Sequence, residues 1–238
     1  MLTKLSVNIN KIALLRNSRG NNVPDILKFA SDCEAYGADG ITVHPRPDER
    51  HIKYTDVFDL KKNVRTELNV EGYPDEKFLR MVIDAKPHQC TLVPDAPNAL
   101  TSDNGWDTIL HQVQLKEIVA LLQENGIRVS LFINPEKKYL DAAKEINTDR
   151  IEFYTGPYAH HYSIDREDAI SPFIQAAKHC LEIGLGVNAG HDLNLDNLAF
   201  FKQQIPNLLE VSIGHAFVKD CLYYGLENVV PMYKRLLN

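Results

Sequence analysis

Residues 40–46 read Gly-Ile-Thr-Val-His-Pro-Arg, a short apolar run that ends on polar side chains, and the repetition of this pattern along the chain predicts the fold. His44 and Arg46 close the run, as Asn8 and Asn10 close an earlier one. Helical periodicity fills the chain between most of eight such runs. The runs are Leu5–Asn10, Gly40–His44, Glu67–Glu71, Gln89–Val93, Arg128–Ile133, Arg150–Tyr154, Gly186–Ala189 and Glu210–Gly214. Eight strand–helix units predict an α/β fold, the (β/α)8 or TIM barrel, in which residues at strand C-termini line one mouth.

Length and composition agree with one soluble barrel. The 238 residues are close to the roughly 250 of a typical barrel, which predicts a single domain over residues 1–238. Hydrophobic residues make up 44 % and charged residues 24 % of the chain, and no run approaches the roughly 20 apolar residues of a membrane span. With no apolar signal segment at the start, we expect a cytoplasmic protein that does not bind membranes. Reduced thiols are expected for the widely spaced Cys33, Cys90, Cys180 and Cys221.

Helical patterns and two long connections fill the rest of the chain. Helices are predicted from Pro24 to about Tyr36, from Asp75 through Ile83, and over Gln112–Asn125, Lys138–Ile146, Asp168–Ile183 and Cys221–Leu237. The connections Asn10–Val23 and Pro94–His111 are expected to be loops, and loops of this length are often functional.

The charge distribution indicates an anionic small molecule. A net charge of −6 argues against nucleic acid, which prefers a basic face. Nevertheless Lys11, Arg16, Arg19 and Arg46 all follow strand ends and therefore belong to the same mouth. A local positive site on an acidic protein suits a phosphorylated metabolite. The alternative is ordinary solvated loop charge.

Titratable residues at the strand ends are the candidates for proton transfer. A carboxylate such as Glu71 becomes a usable general base when burial raises its pKa, and a histidine such as His44 moves protons near neutral pH. The competing interpretations are a surface glutamate and a hydrogen-bonded core histidine. His191 follows the seventh strand, Glu152 lies in the sixth, and Gly214-His215 ends the eighth, where barrels often bind phosphate.

Two other kinds of chemistry are disfavoured. A metal-dependent barrel hydrolase usually carries His-x-His on its first strand, whereas residues 7–10 read Val-Asn-Ile-Asn, so no metal is expected. No predicted strand has a lysine in its interior or at its end, which argues against a lysine nucleophile.

Several local strings, taken together, resemble one known family. They are VNINKIALLRNSRG, GADGITVHPRPDERHI, KPHQCTLVPD, IRVSLFI, IEFYTGPYA, VNAGHDL and SIGHA, and they span nearly the whole chain. The chain resembles the pyridoxine 5′-phosphate synthases, which are barrels with extra helices that assemble into octamers. The resemblance implies condensation of 3-amino-2-oxopropyl phosphate with 1-deoxy-D-xylulose 5-phosphate, without a cofactor. The products would be pyridoxine 5′-phosphate, inorganic phosphate and water.

The resemblance also implies residue roles. His44 and Glu71 match the proton acceptors, His191 matches the proton donor, and Glu152 matches a carboxylate that stabilises a charged transition state. The implied contacts to 3-amino-2-oxopropyl phosphate are Asn8, Arg19, Asp192, Gly214 and His215, and those to 1-deoxy-D-xylulose 5-phosphate are Asn10, Lys11, Arg46, His51 and Thr101.

The chain departs from the family pattern at several of these positions. Asn10-Lys11 stands where Asp-His is common, Asp192 where glycine is common, and His44 is followed by a Pro-Arg-Pro stretch that differs in other members. Asp192 would place an anion near a phosphate unless only its backbone N–H is used. Two rival functions remain at this stage: a phosphate-binding barrel lyase or isomerase with one substrate, and a non-catalytic binding or assembly protein.

Overall fold

Eight parallel strands form a closed barrel in a computed structural model that describes residues 2–95 and 104–238. Each strand pairs with the next in sequence, and β8 closes the barrel by pairing with β1. The strands are β1 (Lys4–Asn8), β2 (Gly40–Val43), β3 (Glu67–Gly72), β4 (Gln89–Leu92), β5 (Arg128–Ile133), β6 (Arg150–Phe153), β7 (Gly186–Ala189) and β8 (Leu208–Ile213). The predicted (β/α)8 fold is therefore confirmed.

Helices surround the barrel and connect its strands. They are α1 (Asn10–Asn17), α2 (Ile26–Ala35), α3 (Tyr54–Asn63), α4 (Glu76–Ala85), α5 (Gln112–Glu124), α6 (Lys137–Ile146), α7 (Gly156–His161), α8 (Arg166–Glu182), α9 (Leu198–Gln204), α10 (His215–Tyr224) and α11 (Leu226–Leu237). Carboxylates cap several N-termini: Asp25 accepts from the Leu27 amide at 2.9 Å, and Asp75 accepts from the Phe78 amide at 2.8 Å. Across the described residues, no helix is long and apolar enough to cross a membrane.

Two predicted segments are wrong in detail. The expected loop Asn10–Val23 begins with α1, which buries Ile12 and Ala13 against the barrel. The expected final helix Cys221–Leu237 is two helices, because Gly225 adopts φ +77° between α10 and α11. A residue with a side chain rarely adopts this conformation, so the chain turns at the glycine and starts a new helix.

The apolar core lies between the barrel and its helices. Alternate strand residues such as Leu5, Val7 and Ile41 are fully buried there and belong to one continuous apolar cluster. Removing this apolar area from water supplies the main stabilisation of the fold.

The lumen of the barrel is polar, in contrast to the branched apolar layers that are usual in this fold. Side chains from opposite strands meet in it: the Gln89 amide donates to Glu210 at 3.2 Å, and the Ser212 hydroxyl donates to Glu71 at 3.4 Å. At the base of the barrel, Glu67 pairs with lysine and arginine side chains from β1 and β5. A hydrogen-bonded polar column therefore runs from the base of the barrel towards the mouth.

Candidate active site

A cavity of about 340 Å³ opens at the C-terminal ends of the strands. Twelve of the fourteen predicted site residues line it. Arg19 does not line it and is exposed in the turn after α1, while Thr101 lies outside the described residues. The lining residues are Asn8, Asn10, Lys11, His44, Arg46, His51, Glu71, Thr91, Val93, Phe132, Glu152, His191, Asp192, Ser212, Gly214 and His215.

The first connection folds back over the mouth and fixes the position of His44. Strand β1 ends at Asn8, whose Oδ1 accepts a hydrogen bond from the backbone N–H of Asn10 at 3.1 Å. The Oδ1 of Asn10 in turn accepts from the backbone N–H of His44 at 2.9 Å. Asn10 therefore ties the start of α1 to the end of β2, an arrangement that requires an amide or carboxylate oxygen at position 10.

Glu71 is a largely buried residue of the cavity wall, with 12 % of its side chain exposed. Its Oε2 lies 3.9 Å from Nδ1 of His44 and accepts a long 3.4 Å hydrogen bond from Asn8. Burial raises the pKa of Glu71 from 4.5 to about 7; the nearby His191 opposes this rise and Asp95 adds to it. A carboxyl that titrates near neutral pH is suited to accept a proton from a substrate. The alternative interpretation of Glu71 as a surface glutamate is wrong.

Glu152 belongs to the same group of carboxyls. It is buried in β6, and burial together with the carboxyls of Glu71 and Glu210 raises its pKa well above the ordinary value. Burial also raises the pKa of Glu210. Burial and mutual repulsion favour the neutral forms of these carboxyls, whereas a cationic ligand in the cavity would favour their ionised forms.

Two histidines of the mouth are held in the neutral form. Burial lowers the pKa of His44 well below its ordinary value, and the positive charge of Arg46 adds to the effect. Burial, Arg46 and Lys11 lower the pKa of His51 to about 4. The Nδ1 of His51 accepts from the Ile52 amide at 2.9 Å, so the proton of the neutral ring is on Nε2. A neutral His44 beside Glu71 can accept a proton.

Arg46 and Asp95 form a buried ion pair at the edge of the cavity. One Nη of Arg46 lies 2.9 Å from Oδ2 of Asp95, and both side chains are about nine-tenths or more buried. A guanidinium has five N–H donors, so one contact to a carboxylate leaves others for an anionic ligand. The pair holds the cation in place at the cavity wall.

Arg16 holds the loop that follows β2, although the sequence placed it at the mouth. Its guanidinium binds both carboxylate oxygens of Asp56 at 2.8 Å and donates to the His51 carbonyl at 3.0 Å. Asn17 donates to the same carbonyl at 2.7 Å. Arg16 is buried and does not line the cavity, so the prediction of a cation available to ligand is wrong at this position.

Glycines allow the backbone to close around the carboxyls. A Cβ on Gly190 would lie 2.1 Å from the Ser212 carbonyl oxygen and 3.2 Å from Oε1 of Glu152. Gly214 precedes α10 and packs against Asn8, where a Cβ would meet Asn8 carbons at 3.1 Å. Gly214 has no side chain to cap α10, so the first amides of this helix can bind an anion.

Sequence reasoning missed four residues of the cavity wall, namely Thr91, Val93, Phe132 and Ser212. Thr91 and Ser212 are polar residues two positions after the polar Gln89 and Glu210 of the same strands, and this period of two was the available signal for an inward position. Within the described ranges, no group of three or more His, Cys, Asp or Glu side chains could hold a metal ion.

Comparison with known proteins relates the whole chain to one family. Residues 5–238 match the family model described as "Pyridoxal phosphate biosynthesis protein PdxJ". A protein named pyridoxine 5′-phosphate synthase from Flavobacterium johnsoniae is 57 % identical over 236 residues, covering 99 % of this chain and 100 % of that protein. A protein of the same name from Parabacteroides distasonis is 55 % identical over 237 residues, with full coverage of both chains.

Solved structures with low sequence identity share the fold. The chain superimposes on 3-keto-L-gulonate-6-phosphate decarboxylase from Vibrio cholerae with a TM-score of 0.68 at 11 % identity, covering 100 % of this chain and 98 % of that one. For tryptophan synthase subunit alpha from Legionella pneumophila, the TM-score is 0.69 at 12 % identity, with 99 % and 92 % covered. At this level of identity the similarity concerns the barrel alone.

Proposed function

The chain belongs to the PdxJ family of pyridoxal phosphate biosynthesis proteins, and on that premise we propose that it catalyses formation of pyridoxine 5′-phosphate. The proposed substrates are 3-amino-2-oxopropyl phosphate and 1-deoxy-D-xylulose 5-phosphate, and phosphate and water are the other products. The amine of the first substrate attacks the ketone of the second, so the imine forms between substrates and needs no enzyme lysine. Phosphate elimination, ring closure and dehydration then require several proton transfers.

The observation that carries this proposal is the group of titratable residues in one cavity. Glu71, with a pKa of about 7, and the neutral His44 serve as proton acceptors. His191 serves as the proton donor from the β7 side. Glu152 offsets positive charge on iminium intermediates when it ionises. Two bases and one acid match the number of roles that ring closure requires.

Two cationic or amide-rich regions of the mouth are proposed to bind the two phosphates. Gly214-His215 at the N-terminus of α10 would bind 3-amino-2-oxopropyl phosphate, since unpaired helix amides favour anions. Arg46, Lys11 and His51 on the other side would bind 1-deoxy-D-xylulose 5-phosphate. Asn8, Arg19 and the backbone N–H of Asp192 complete the first proposed set, and Asn10 and Thr101 complete the second.

The direct test is product formation from purified protein. With both substrates present, we expect pyridoxine 5′-phosphate, detected by chromatography and mass spectrometry, and no product when either substrate is omitted. Added metal chelator should leave the rate unchanged, because the proposed chemistry uses side chains alone. Turnover of one phosphorylated substrate without the other would instead support the rival lyase or isomerase. Full inhibition by the chelator would contradict the proposed chemistry.

We further propose that residues 1–238 act as one barrel domain that assembles into octamers in the cytoplasm. Exposed apolar side chains on the contacting helices α1 and α10 supply a surface for assembly. They are Leu14, Leu15, Leu222, Tyr223 and Tyr224. The free cysteines suit a reducing compartment. Light scattering should give eight times the 27.0 kDa chain mass, and a monomer would contradict the octamer.

The variant Tyr223→Ser tests which surface the assembly uses. It should lower the particle mass if α10 forms an interface, because Tyr223 is 79 % exposed in the single chain. Leu181→Ser is the matched control, since Leu181 is 54 % exposed on α8, away from the proposed surface. Equal particle masses for Tyr223→Ser and the unmodified protein would argue against an interface at α10.

A further inference from the structure

A carboxylate, that of the next residue in the chain, binds the imidazole of His191. Oδ2 of Asp192 lies 2.7 Å from Nδ1 of His191. The backbone of Asp192 is itself fixed, because its carbonyl accepts from the Asn197 side chain at 3.3 Å and from the Asn194 side chain at 3.5 Å. The Gly190 carbonyl accepts from the Thr155 hydroxyl at 3.1 Å, which fixes the other end of the turn.

Aromatic rings confine the other faces of the same imidazole. The Tyr154 ring meets His191 edge-on with centroids 5.6 Å apart, and the Phe132 ring lies at 6.2 Å. Phe132 belongs to β5 and Tyr154 directly follows β6, so the rigid barrel sets these contacts. The imidazole therefore has one orientation that satisfies both the rings and the carboxylate.

The carboxylate also decides which nitrogen carries which proton. The hydrogen bond from His191 lowers the pKa of Asp192, so this carboxyl is ionised at neutral pH and can only accept. The proton of the bond must then be on Nδ1 of His191. A donor role of His191 would then use the proton on Nε2.

We propose that Asp192 is a positioning residue that orients His191 and holds its proton on Nδ1, and that it does not serve as a phosphate contact through its side chain. This inference rests on the proposed function for its kinetic consequences. When His191 donates, the proton on Nε2 passes to the departing substrate oxygen, and the neutral ring keeps Nδ1–H on Asp192. Proton return from solvent to Nε2 resets the pair.

The two roles of Asp192 predict different kinetic effects. An anionic side chain in contact with a phosphate would oppose binding, so its removal would lower KM for 3-amino-2-oxopropyl phosphate. A carboxylate that acts through His191 affects proton donation, so its removal would lower kcat. The other titratable groups facing His191 across the cavity are Glu71 and His44, with His215 near Asp192, and all three stay unchanged in the variants.

The first experiment compares steady-state kinetics of Asp192→Asn and Asp192→Gly. Asparagine can still accept a hydrogen bond from Nδ1 but carries no charge, so we expect kcat of Asp192→Asn to fall about 10-fold. Glycine removes both the hydrogen bond and the charge, so we expect kcat of Asp192→Gly to fall about 100-fold. The loss should be smaller than the roughly 10⁴-fold seen for a fully buried triad carboxylate, because Asp192 is half-exposed and water can replace it. Both KM values should stay within about 2-fold. Asp196→Asn, an exposed carboxylate on the same turn, is the matched control.

The second experiment is independent of turnover. The ¹⁵N chemical shifts of a histidine ring show which nitrogen carries the proton, so they report a carboxylate that holds this proton on Nδ1. In protein labelled with ¹⁵N-histidine, we expect the neutral ring of His191, identified by its loss in His191→Asn, to carry Nδ1–H in the unmodified chain and mainly Nε2–H in Asp192→Gly, where no carboxylate remains. Asp196→Asn should match the unmodified protein.

The outcomes separate this inference from the proposed function. Unmodified protein that forms no product overturns the function, and the tautomer of His191 then decides the role of Asp192. Active protein in which Asp192→Asn keeps its kcat, or changes KM alone, overturns the positioning role. The same tautomer of His191 in Asp192→Gly and in the unmodified protein overturns it as well.

Discussion

Glu71→Gln should remove activity and stabilise the fold, and the stabilisation should depend on pH. The protonated form of Glu71 is favoured in the folded chain, since its pKa there is about 7 instead of 4.5. The unfolded chain therefore holds fewer protons than the folded chain between these values, and the free energy of unfolding falls as pH rises through this range. Glutamine has nearly the same shape and no carboxyl to ionise, so the variant avoids this cost.

The size of the effect follows from the shift in pKa. Each unit corresponds to about 1.4 kcal/mol, so the difference between 4.5 and about 7 amounts to about 3 kcal/mol at pH 8. At pH 5 the same linkage leaves less than about 1 kcal/mol. For a chain of this length, the gain at pH 8 corresponds to a rise in Tm of roughly 5–10 °C. Turnover should fall by roughly 10² to 10⁴ while both substrates still bind, because a positioned general base is lost.

Thermal unfolding at pH 5 and pH 8 tests the stability, and steady-state kinetics test the turnover. Glu117→Gln is the control, because Glu117 is exposed in the middle of α5 and its loss should change neither quantity. A gain in Tm that is equal at both pH values would refute the role of burial in setting the pKa of Glu71. Turnover like that of the unmodified protein would refute its role as a base.

Three further substitutions probe the walls of the site. Arg46→Ala should raise KM for 1-deoxy-D-xylulose 5-phosphate about 10- to 100-fold in steady-state kinetics, because charge-assisted hydrogen bonds are lost. The KM for 3-amino-2-oxopropyl phosphate should change less, and equal changes in the two KM values would contradict the assignment. Arg16→Lys should raise the same KM several-fold and lower Tm, because lysine cannot bind Asp56 through two nitrogens and also donate to the His51 carbonyl. Unchanged KM and Tm would show that these contacts of Arg16 are dispensable. Gly190→Ala should lower the free energy of unfolding by more than about 3 kcal/mol in denaturant unfolding, because its Cβ would lie 2.1 Å from the Ser212 carbonyl oxygen. An unchanged midpoint of the denaturant transition would contradict this close approach.

The sequence was sufficient for the barrel and for most of the candidate site, for one physical reason. Parallel strands bring their C-terminal ends to one mouth, so the residues that close each apolar run meet without any knowledge of tertiary contacts. His44, Glu71 and His191 were found in this way, and the structure places all three in one cavity.

The rest of the site depends on partners that are distant in the chain. Arg16 binds Asp56 at a separation of 40 residues, and Arg46 binds Asp95 at a separation of 49. Nothing in the local sequence distinguishes a cation that is paired in this way from one that faces a ligand. The raised pKa of Glu71 likewise results from burial by the whole barrel, so the sequence could propose a base but not its titration near neutral pH.

The apolar layer outside the strands and the polar lumen inside them are constrained by different requirements. The stability of the fold comes mainly from the apolar layer outside the strands. The lumen contains hydroxyls, amides and carboxyls, which apolar side chains of similar volume could replace at little cost to stability. Ser130 illustrates the point, since its buried Oγ finds no hydrogen-bond partner among the described residues. Proton chemistry at the mouth gives these groups a use that an apolar filling would lack. Substitutions in the outer layer should therefore be limited by folding and those in the lumen by catalysis, so the two faces of each strand can evolve at different rates.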